Sequence, residues 1–538
     1  MKKIIALFII VLSFYSCQKE FLDRYPTTSL VVENFYKTTD DATQALTSVY
    51  NILERDDWWS SGIISEIASD ECTGGGGTGD GGGYQRYDRG LTWGDATVNQ
   101  ILWNTYYGGI FRANTYIANE SRINWTGHEG LEKQYLAEAR FLRGYMHFYL
   151  ARMFGEVPYL DHTLAPDELP GRTPHKELYS DIMDDLKFCA DNGISSPYPG
   201  YVSNWGRATK WAAEAMMVRV YLFYSGYYNE SDLNGYGPSQ AQTTIDDVIA
   251  HSGSSLVDKF ASLWKVPTYS ELGGDTTLAQ YATEINPEVI WSVRLSGAFN
   301  YSTISRMIGP RLTNIDPYGQ GWGAMPVLPT LWNLYDSTDT RRTATILDYA
   351  REGVAYDYET QGQAQYTGYQ CKKYELPSHN NQVVAGANWQ NDGDEDYMII
   401  RYADVLLMAA ELHLMNGDND NALKYVNMVR QRAFGDASHN YSAVTMDDIY
   451  KERKLELACE GIRYWDILRQ CKGDFSKLVS VLTYVDNSDG ADLSNDPGEV
   501  LSLDVDGNNF AAHNGLFQLP QAELDLMNGV IKQNPGYE

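Results

Sequence analysis

The chain has few positive charges for its length. Among its 538 residues, 42 Lys and Arg stand against 71 Asp and Glu, which gives a formal net charge of −29. Nucleic acid and anionic lipid surfaces repel so acidic a protein, so neither is expected as a partner. Cysteine is also scarce, with six residues and no Cys-x-x-Cys pair. The pattern indicates neither a disulfide framework nor a zinc ribbon, and it predicts Cys189 and Cys459 as small buried residues in helices.

Motifs of catalysis are missing as well. The sequence contains no HExxH, no GxSxG and no Cys/His cluster at metal-ligand spacing, so we expect no catalytic residues and no cofactor. A glycosidase needs only two carboxylates and is the less favoured alternative. Asp392, Asp394 and Asp396 alternate like the start of a calcium loop, but Tyr397 and Ala403 stand where an EF-hand needs Gly and Glu. A solvated acidic loop is therefore preferred to a structural calcium site.

The only long apolar run lies at the N-terminus and is too short to span a bilayer. Residues 4–15 follow Lys2 and Lys3, and a run of about 12 residues falls below the roughly 20 that a transmembrane helix needs. The layout predicts a signal peptide over residues 1–16. Ser16-Cys17 then has the lipobox pattern of bacterial lipoproteins, so we expect Cys17 to be the acylated first residue of the mature chain. An ordinary signal with a cysteine nearby by chance is the alternative.

Apolar residues recur at helical spacing through most of the chain. They predict helices over 34–60, 98–121, 131–154, 175–191, 208–225, 243–251, 402–416, 419–433, 445–470 and 521–527. Residues 288–295 are the best strand candidate, and 296–395 look irregular. The pair at 402–433 resembles a tetratricopeptide-type hairpin. The predicted fold is mainly α, with tetratricopeptide-like helical hairpins, long irregular loops and minor β structure; generic αα packing is the alternative.

Charged residues in the last long helical pattern have a regular spacing. They recur every three or four residues, which predicts ion pairs along one helix face: Arg453, Glu456, Glu460, Arg463, Asp466 and Arg469. We interpret this pattern, and the charges of Arg401 and Glu411, as structural and not catalytic.

Seven segments together carry a family likeness. They are CQKEFLDRYP at 17–26, AEARFLRGYMHFYLARMFGEVPYL at 137–160, RATKWAAEAMMVRVYLFYSG at 207–226, NPEVIWSVR at 286–294, YMIIRYADVLLMAAE at 397–411, ERKLELACEGIRYWDILR at 452–469 and LFQLPQAELDLMNGVIKQNPGY at 516–537. In this order, behind a lipobox, the chain resembles the SusD/RagB family of outer-membrane nutrient-binding lipoproteins.

The resemblance implies a domain over 17–538, with an N-terminal part at about 17–230 and a C-terminal part at about 270–538. It implies a lipid-anchored protein at the outer membrane, facing the cell exterior, with four tetratricopeptide-like hairpins. The implied function is capture of oligosaccharides or polysaccharides for a partner TonB-dependent transporter of the SusC type. A peptide-binding member of the same family is the alternative.

Glycan binding requires flat aromatic faces on loops that a rigid scaffold holds. Tyr and Trp are abundant, with 40 and 13 residues, and three loop regions qualify. The candidates are Tyr84, Tyr87 and Trp93, with Arg86 and Arg89, beside a glycine run at 74–83; Tyr301, Tyr318 and Trp322; and Trp389 with Asn391. We expect the glycine run to be a flexible loop. It is not a phosphate loop, because no Gly-Lys-Ser/Thr follows and no helix is predicted there.

Overall fold

The computed structural model of the chain describes most of the sequence. The described residues are 35–54, 56–77, 82–90, 97–273, 285–295, 303–313, 317–375, 378, 395–484 and 504–537. Cys17 and the predicted signal peptide lie outside them, as do Trp93, Tyr301, Trp389, Asp392 and Asp394. Within these residues, no helix combines the length and apolar character that crossing a membrane requires.

Helices make up most of the described structure. In chain order they are α1 (Thr39–Tyr50), α2 (Asp56–Ile67), α3 (Gly82–Asp88), α4 (Thr97–Asn119), α5 (Glu129–Phe154), α6 (His175–Asn192), α7 (Lys210–Tyr227), α8 (Pro238–His251), α9 (Lys265–Glu271), α10 (Ile304–Ile308), α11 (Pro329–Leu334), α12 (Thr340–Thr345), α13 (Tyr402–Met415), α14 (Asn419–Phe434), α15 (Met446–Leu457), α16 (Arg463–Gln470), α17 (Lys477–Leu482), α18 (Gly507–Ala511) and α19 (Gln521–Leu526). The prediction of a mainly helical fold is confirmed.

The long helices pack in a row of hairpins. α4 packs on α5, α5 on α6, α6 on α7, and α7 on α8; α8 then packs on α13, and α13 on α14. Small residues permit the close contacts: in α5, a Cβ on Gly144 would lie 3.1 Å from the Asp185 side chain of α6. One continuous apolar core, from Val49 to Ile531, runs through the row. These hairpins position the loops that carry the candidate site.

Within the described residues, four short strands form two antiparallel pairs. β1 (Val289–Val293) pairs with β4 (Tyr397–Arg401), and β2 (Ile346–Asp348) pairs with β3 (Tyr369–Cys371). The predicted strand at 288–295 is confirmed by β1, and Trp291 stands opposite Ile400. Sequence reasoning missed β4, because YMIIR runs without a break into the apolar pattern of α13. Residues 296–395, predicted to be irregular, also contain α10, α11, α12, β2 and β3.

The helix predicted over 445–470 is wrong in the middle. α15 ends at Leu457 and α16 begins at Arg463. Cys459 and Gly461 between them have positive φ angles of 63° and 78°, which a continuing right-handed helix cannot contain. Cys459 is therefore buried as predicted, but it does not lie in a helix. The prediction of 34–60 as one helical pattern is likewise replaced by α1 and α2.

The break rearranges the predicted charged face. Arg453 reaches across it to Asp466, with 2.9 Å between Nε and Oδ2, while Glu456 and Glu460 turn inward to Arg401. Arg401 also binds Glu288 at 2.8 Å. Asp466 and Arg469 pair at i and i+3 on α16, as predicted. The other charges are paired and buried between elements and do not line one helix face. Burial would raise the pKa of Glu456, but Arg432, Arg401 and Arg341 hold it well below its ordinary range.

Candidate functional site

Residues 74–77 of the glycine run are buried and hydrogen-bonded, so the prediction of a flexible loop is wrong for this part; residues 78–81 lie outside the described residues. Four hydrogen bonds fix residues 74–77: Gly74 N to Asp88 Oδ2 (2.8 Å), Gly75 N to Gln365 Oε1 (2.8 Å), Gly76 N to Gly323 O (2.8 Å) and Ala364 N to Gly76 O (2.9 Å). A helix, α3, also follows the run, contrary to the prediction that none starts there. The segment thus joins the first and second predicted loop regions.

Close approach explains why glycine stands in this segment. Gly75 has a φ of +62°, and a Cβ there would lie 2.3 Å from Pro326 Cδ and 2.4 Å from Gly323 O. Contacts below 3.0 Å are not tolerated, so any side chain would displace Gly323 and Pro326. The glycines therefore allow the main chain to pack directly beneath residues 321–326.

Trp322 is the exposed aromatic residue of the second region. Its side chain is 38% exposed, while its main chain is held on both sides. Its N–H donates to Arg306 O at 2.5 Å, and its carbonyl accepts from Arg311 Nη1 at 3.1 Å. The flanking Gly321 and Gly323 N–H groups donate to Pro310 and Gly309. Trp322 therefore offers an indole ring to solvent from a rigid loop.

A row of tyrosines adjoins this loop and was missed by sequence reasoning. The Tyr358 and Tyr366 rings stack with centroids 4.4 Å apart, and Tyr356 stacks on buried Tyr349 at 4.9 Å. Tyr356, Tyr358 and Tyr366 are half-buried. The Tyr356 hydroxyl donates to Arg311 O at 3.3 Å, so Arg311 connects the row to Trp322. We call Trp322, Tyr356, Tyr358 and Tyr366 the aromatic surface. The density of tyrosine over residues 349–369 was the sequence signal for it.

The other predicted residues within the described structure face the interior. Tyr318 is 1% exposed, and its hydroxyl donates to the Glu352 carboxylate; burial raises its pKa. Tyr87 is 9% exposed and packs edge-on against Phe517, with centroids 5.3 Å apart. Tyr84 is half-buried against the core, with its hydroxyl 3.2 Å from Ser60 Oγ. Tyr318 and Tyr87 thus support the site from within and do not present a face to solvent.

The described residues contain no grouped metal ligands, and the carboxylate pair of Glu66 and Glu71 is buried. No group of three His, Cys, Asp or Glu side chains among the described residues is arranged to hold a metal ion. Asp396 is taken up by the fold, because its carboxylate accepts from Trp205 Nε1 and Leu295 N. Glu66 and Glu71 lie together and burial raises both pKa values, that of Glu71 to about 7, but both residues are 0% exposed. No glycosidic bond can reach this pair in the folded structure.

Comparison with known proteins identifies two matching family models. Residues 287–537 match the SusD family, and residues 20–222 match the family described as "Starch-binding associating with outer membrane". The chain is 25% identical to SusD-like protein P2 of Formosa agariphila, over 99% of both chains.

Solved structures share the fold. Surface glycan-binding protein A from Bacteroides fluxus superposes with a TM-score of 0.74 at 24% identity, over 93% of this chain and all of that one. Surface glycan-binding protein A from Bacteroides thetaiotaomicron, solved in complex with laminarihexaose, gives a TM-score of 0.72 at 21% identity, again over 93% of this chain and all of that one.

Proposed function

The chain belongs to the SusD/RagB family, and from that premise we propose that it is a surface lipoprotein that captures glycans and passes them to a TonB-dependent transporter. The observation that carries the proposal is the exposed Trp322 ring, on a loop where the N–H and C=O groups of Trp322 are both hydrogen-bonded. Sugar rings present flat C–H faces, which stack on aromatic faces of this kind. The relative with bound laminarihexaose supports an oligosaccharide as ligand.

The proposed binding surface combines stacking with polar groups. Trp322 supplies a large face, and the half-buried Tyr358 and Tyr366 supply phenol hydroxyls and ring edges beside it. Preorganisation favours affinity, because the loop loses little freedom when the ligand binds. Trp93, Tyr301 and Trp389 remain proposed contributors from outside the described residues. Lipid tethering raises the effective concentration beside a transporter, so a modest affinity suffices.

The test is native affinity electrophoresis of the full mature chain in gels that contain laminarin, xyloglucan or starch, followed by calorimetry with the glycan that retards it. Trp322→Ala is expected to weaken binding about ten- to a hundredfold, as loss of an aromatic anchor does. Phe111→Ala is the matched control, since Phe111 is 58% exposed on α4, away from the aromatic surface. Full binding by Trp322→Ala would exclude the surface, and no retardation by any glycan would overturn the function.

The anchor is tested separately, because Cys17 lies outside the described residues. Cys17→Ala is expected to yield a chain without acyl groups that no longer partitions with the membrane fraction. Acylation that persists in this variant, measured by intact mass, would contradict the proposed anchor.

A further inference from the structure

Three cysteines from distant parts of the chain meet in one buried cluster. Cys72 follows α2, Cys371 ends β3, and Cys459 lies in the break between α15 and α16. Their exposures are 0%, 0% and 1%. The Sγ atoms of Cys72 and Cys459, 387 residues apart in sequence, are 3.9 Å apart. Spacing along the sequence gave no sign of this cluster, because the fold alone brings the three segments together.

The cluster has an unequal distribution of protons. Hydrogen bonds from Cys371 and Cys72 hold the pKa of Cys459 well below its ordinary value. Burial raises the pKa of Cys72 and of Cys371. In the folded chain Cys459 is therefore the shared acceptor of the cluster, with the thiols of Cys72 and Cys371 directed at it.

We propose that Cys72 and Cys459 form a disulfide that joins the two ends of the fold. A disulfide bond is about 2.05 Å long, so the two sulfurs need to approach by roughly 2 Å from their contact distance. We assign Cys72 as the partner because its Sγ lies 3.9 Å from that of Cys459, whereas the Cys371 thiol also donates to the carbonyl of Lys373 at 3.5 Å.

The bond forms by exchange with an external disulfide before the cluster closes during folding. The Cys459 thiolate attacks one sulfur of the external disulfide and expels the other as a thiolate. Cys72 then loses its proton to water and attacks Cys459 in this mixed disulfide, which releases the second external thiolate. Two cysteine thiols are oxidised and one external disulfide is reduced to two thiols, so atoms and electrons balance.

The cross-link has a defined structural effect. Cys72 lies two residues before the glycine segment 74–77, whose Gly76 N–H donates to the carbonyl of Gly323, next to Trp322. The disulfide would tie that segment to the break at 458–462, and it would close a loop of nearly 400 residues in the unfolded chain. The oxidised protein is therefore expected to unfold at a higher urea concentration than the reduced protein.

The test is refolding of the full mature chain in a glutathione redox buffer, alkylation under denaturing conditions and mass mapping of the peptides. A linked Cys72–Cys459 peptide is expected, with Cys371, Cys189 and Cys471 alkylated. Cys371→Ser and Cys189→Ser should keep the link, and Cys459→Ser should lose it. Full alkylation of Cys72 and Cys459 in the wild-type chain, or a link from Cys459 to Cys371, would overturn the proposal. Glycan binding is measured independently, so either proposal can fail alone.

Discussion

At the scale of single residues, the composition of the glycine run at 74–83 fits two different structures. Eight glycines in ten residues, 74–83, suggest chain freedom when composition alone is considered. The same composition also permits close approach of two main chains, which is what the described part of the run does. Sequence reasoning could not separate the two possibilities, because the partners of Gly74, Gly75 and Gly76 lie as far away as residues 323 and 365.

Gly75 can be required for two reasons, its positive φ angle and the close packing around it, and substitution separates them. Gly75→Ala combines an unfavourable positive φ with contacts of 2.3–2.4 Å, so it is expected to lower the free energy of unfolding by about 3 kcal/mol. Gly353→Ala is the matched control: its φ is +67° and nothing lies within 4 Å of the added Cβ. The control should lose only about 1 kcal/mol. Urea unfolding measures both, and equal losses would contradict the packing role of Gly75.

The buried side chain of His147 makes the free energy of unfolding depend on pH. Its Nε2 accepts from Leu160 N at 3.1 Å, and burial together with Arg143 lowers its pKa to about 3. A histidine whose folded pKa lies below its unfolded value of about 6.5 stabilises the fold above that value, and this contribution is lost as the pH falls. Between pH 8 and pH 5 the loss is expected to be about 2 kcal/mol.

The contribution of His147 can be isolated with a side chain that does not titrate. His147→Gln is expected to be less stable at pH 8 but to show a shallower decline towards pH 5 than the wild-type chain. His128→Gln, at an exposed position, should leave the decline unchanged. Chemical unfolding at several pH values gives the slopes, and parallel curves for His147→Gln and wild type would refute the assignment.

At the scale of helices and strands, the spacing of apolar residues predicted those elements whose ends are set by residues nearby in the sequence. The hairpin from α13 to α14 matches its prediction closely, because Asp418 caps α14 and Gly435 ends it in the left-handed conformation. β4 and the break at 458–462 could not be predicted, because both depend on distant partners. Arg401 at the end of β4 binds Glu288, Glu456 and Glu460, which come from two other parts of the chain.

The buried ion pairs hold these elements in register. Arg401→Met is expected to cost about 3 kcal/mol, because it removes the cation that joins Glu460 to Glu288 and Glu456. Arg432 still bridges Glu288 and Glu456, and Lys373 still binds Glu460. Lys187→Ala is the control, since the Lys187–Asp191 pair is exposed on α6, and its loss should change stability by less than about 0.5 kcal/mol. Calorimetric or urea unfolding distinguishes them. A small effect of Arg401→Met would mean that the network is not required for the fold.

At the scale of the whole molecule, the predicted N-terminal and C-terminal parts share one core. The C-terminal segment packs against helices of the first part: Asn534 Nδ2 donates to Phe154 O at 3.1 Å, and Tyr227 donates to Asn514 O at 3.0 Å. Phe517 packs edge-on against Tyr87, with centroids 5.3 Å apart. The division of the chain at about 230–270 remains a prediction. In the described residues, the main apolar core contains side chains from both parts.

This shared core predicts a single cooperative unfolding transition. Tryptophan fluorescence and far-UV circular dichroism should give the same urea midpoint, because neither part can lose its contacts alone. A chain that ends at residue 503 should fail to fold, since it removes Phe517 and Asn534, whereas removal of Glu538 alone should have no effect. Two separated transitions, or a folded chain without residues 504–538, would show that the parts are independent.

The support beneath Trp322 has a consequence for how such a protein changes over generations. The loop is held through its peptide groups, by main-chain hydrogen bonds and by the side chains of Arg311 and Gln363, and none of these bonds uses the indole ring. Replacement of Trp322, Tyr358 or Tyr366 alters the face that a ligand contacts and leaves the bonds below intact. Single mutations can therefore change the ligand that the surface binds without changing the scaffold. Gly75 and Gly323 cannot vary in the same way, because any side chain there would clash with its neighbours.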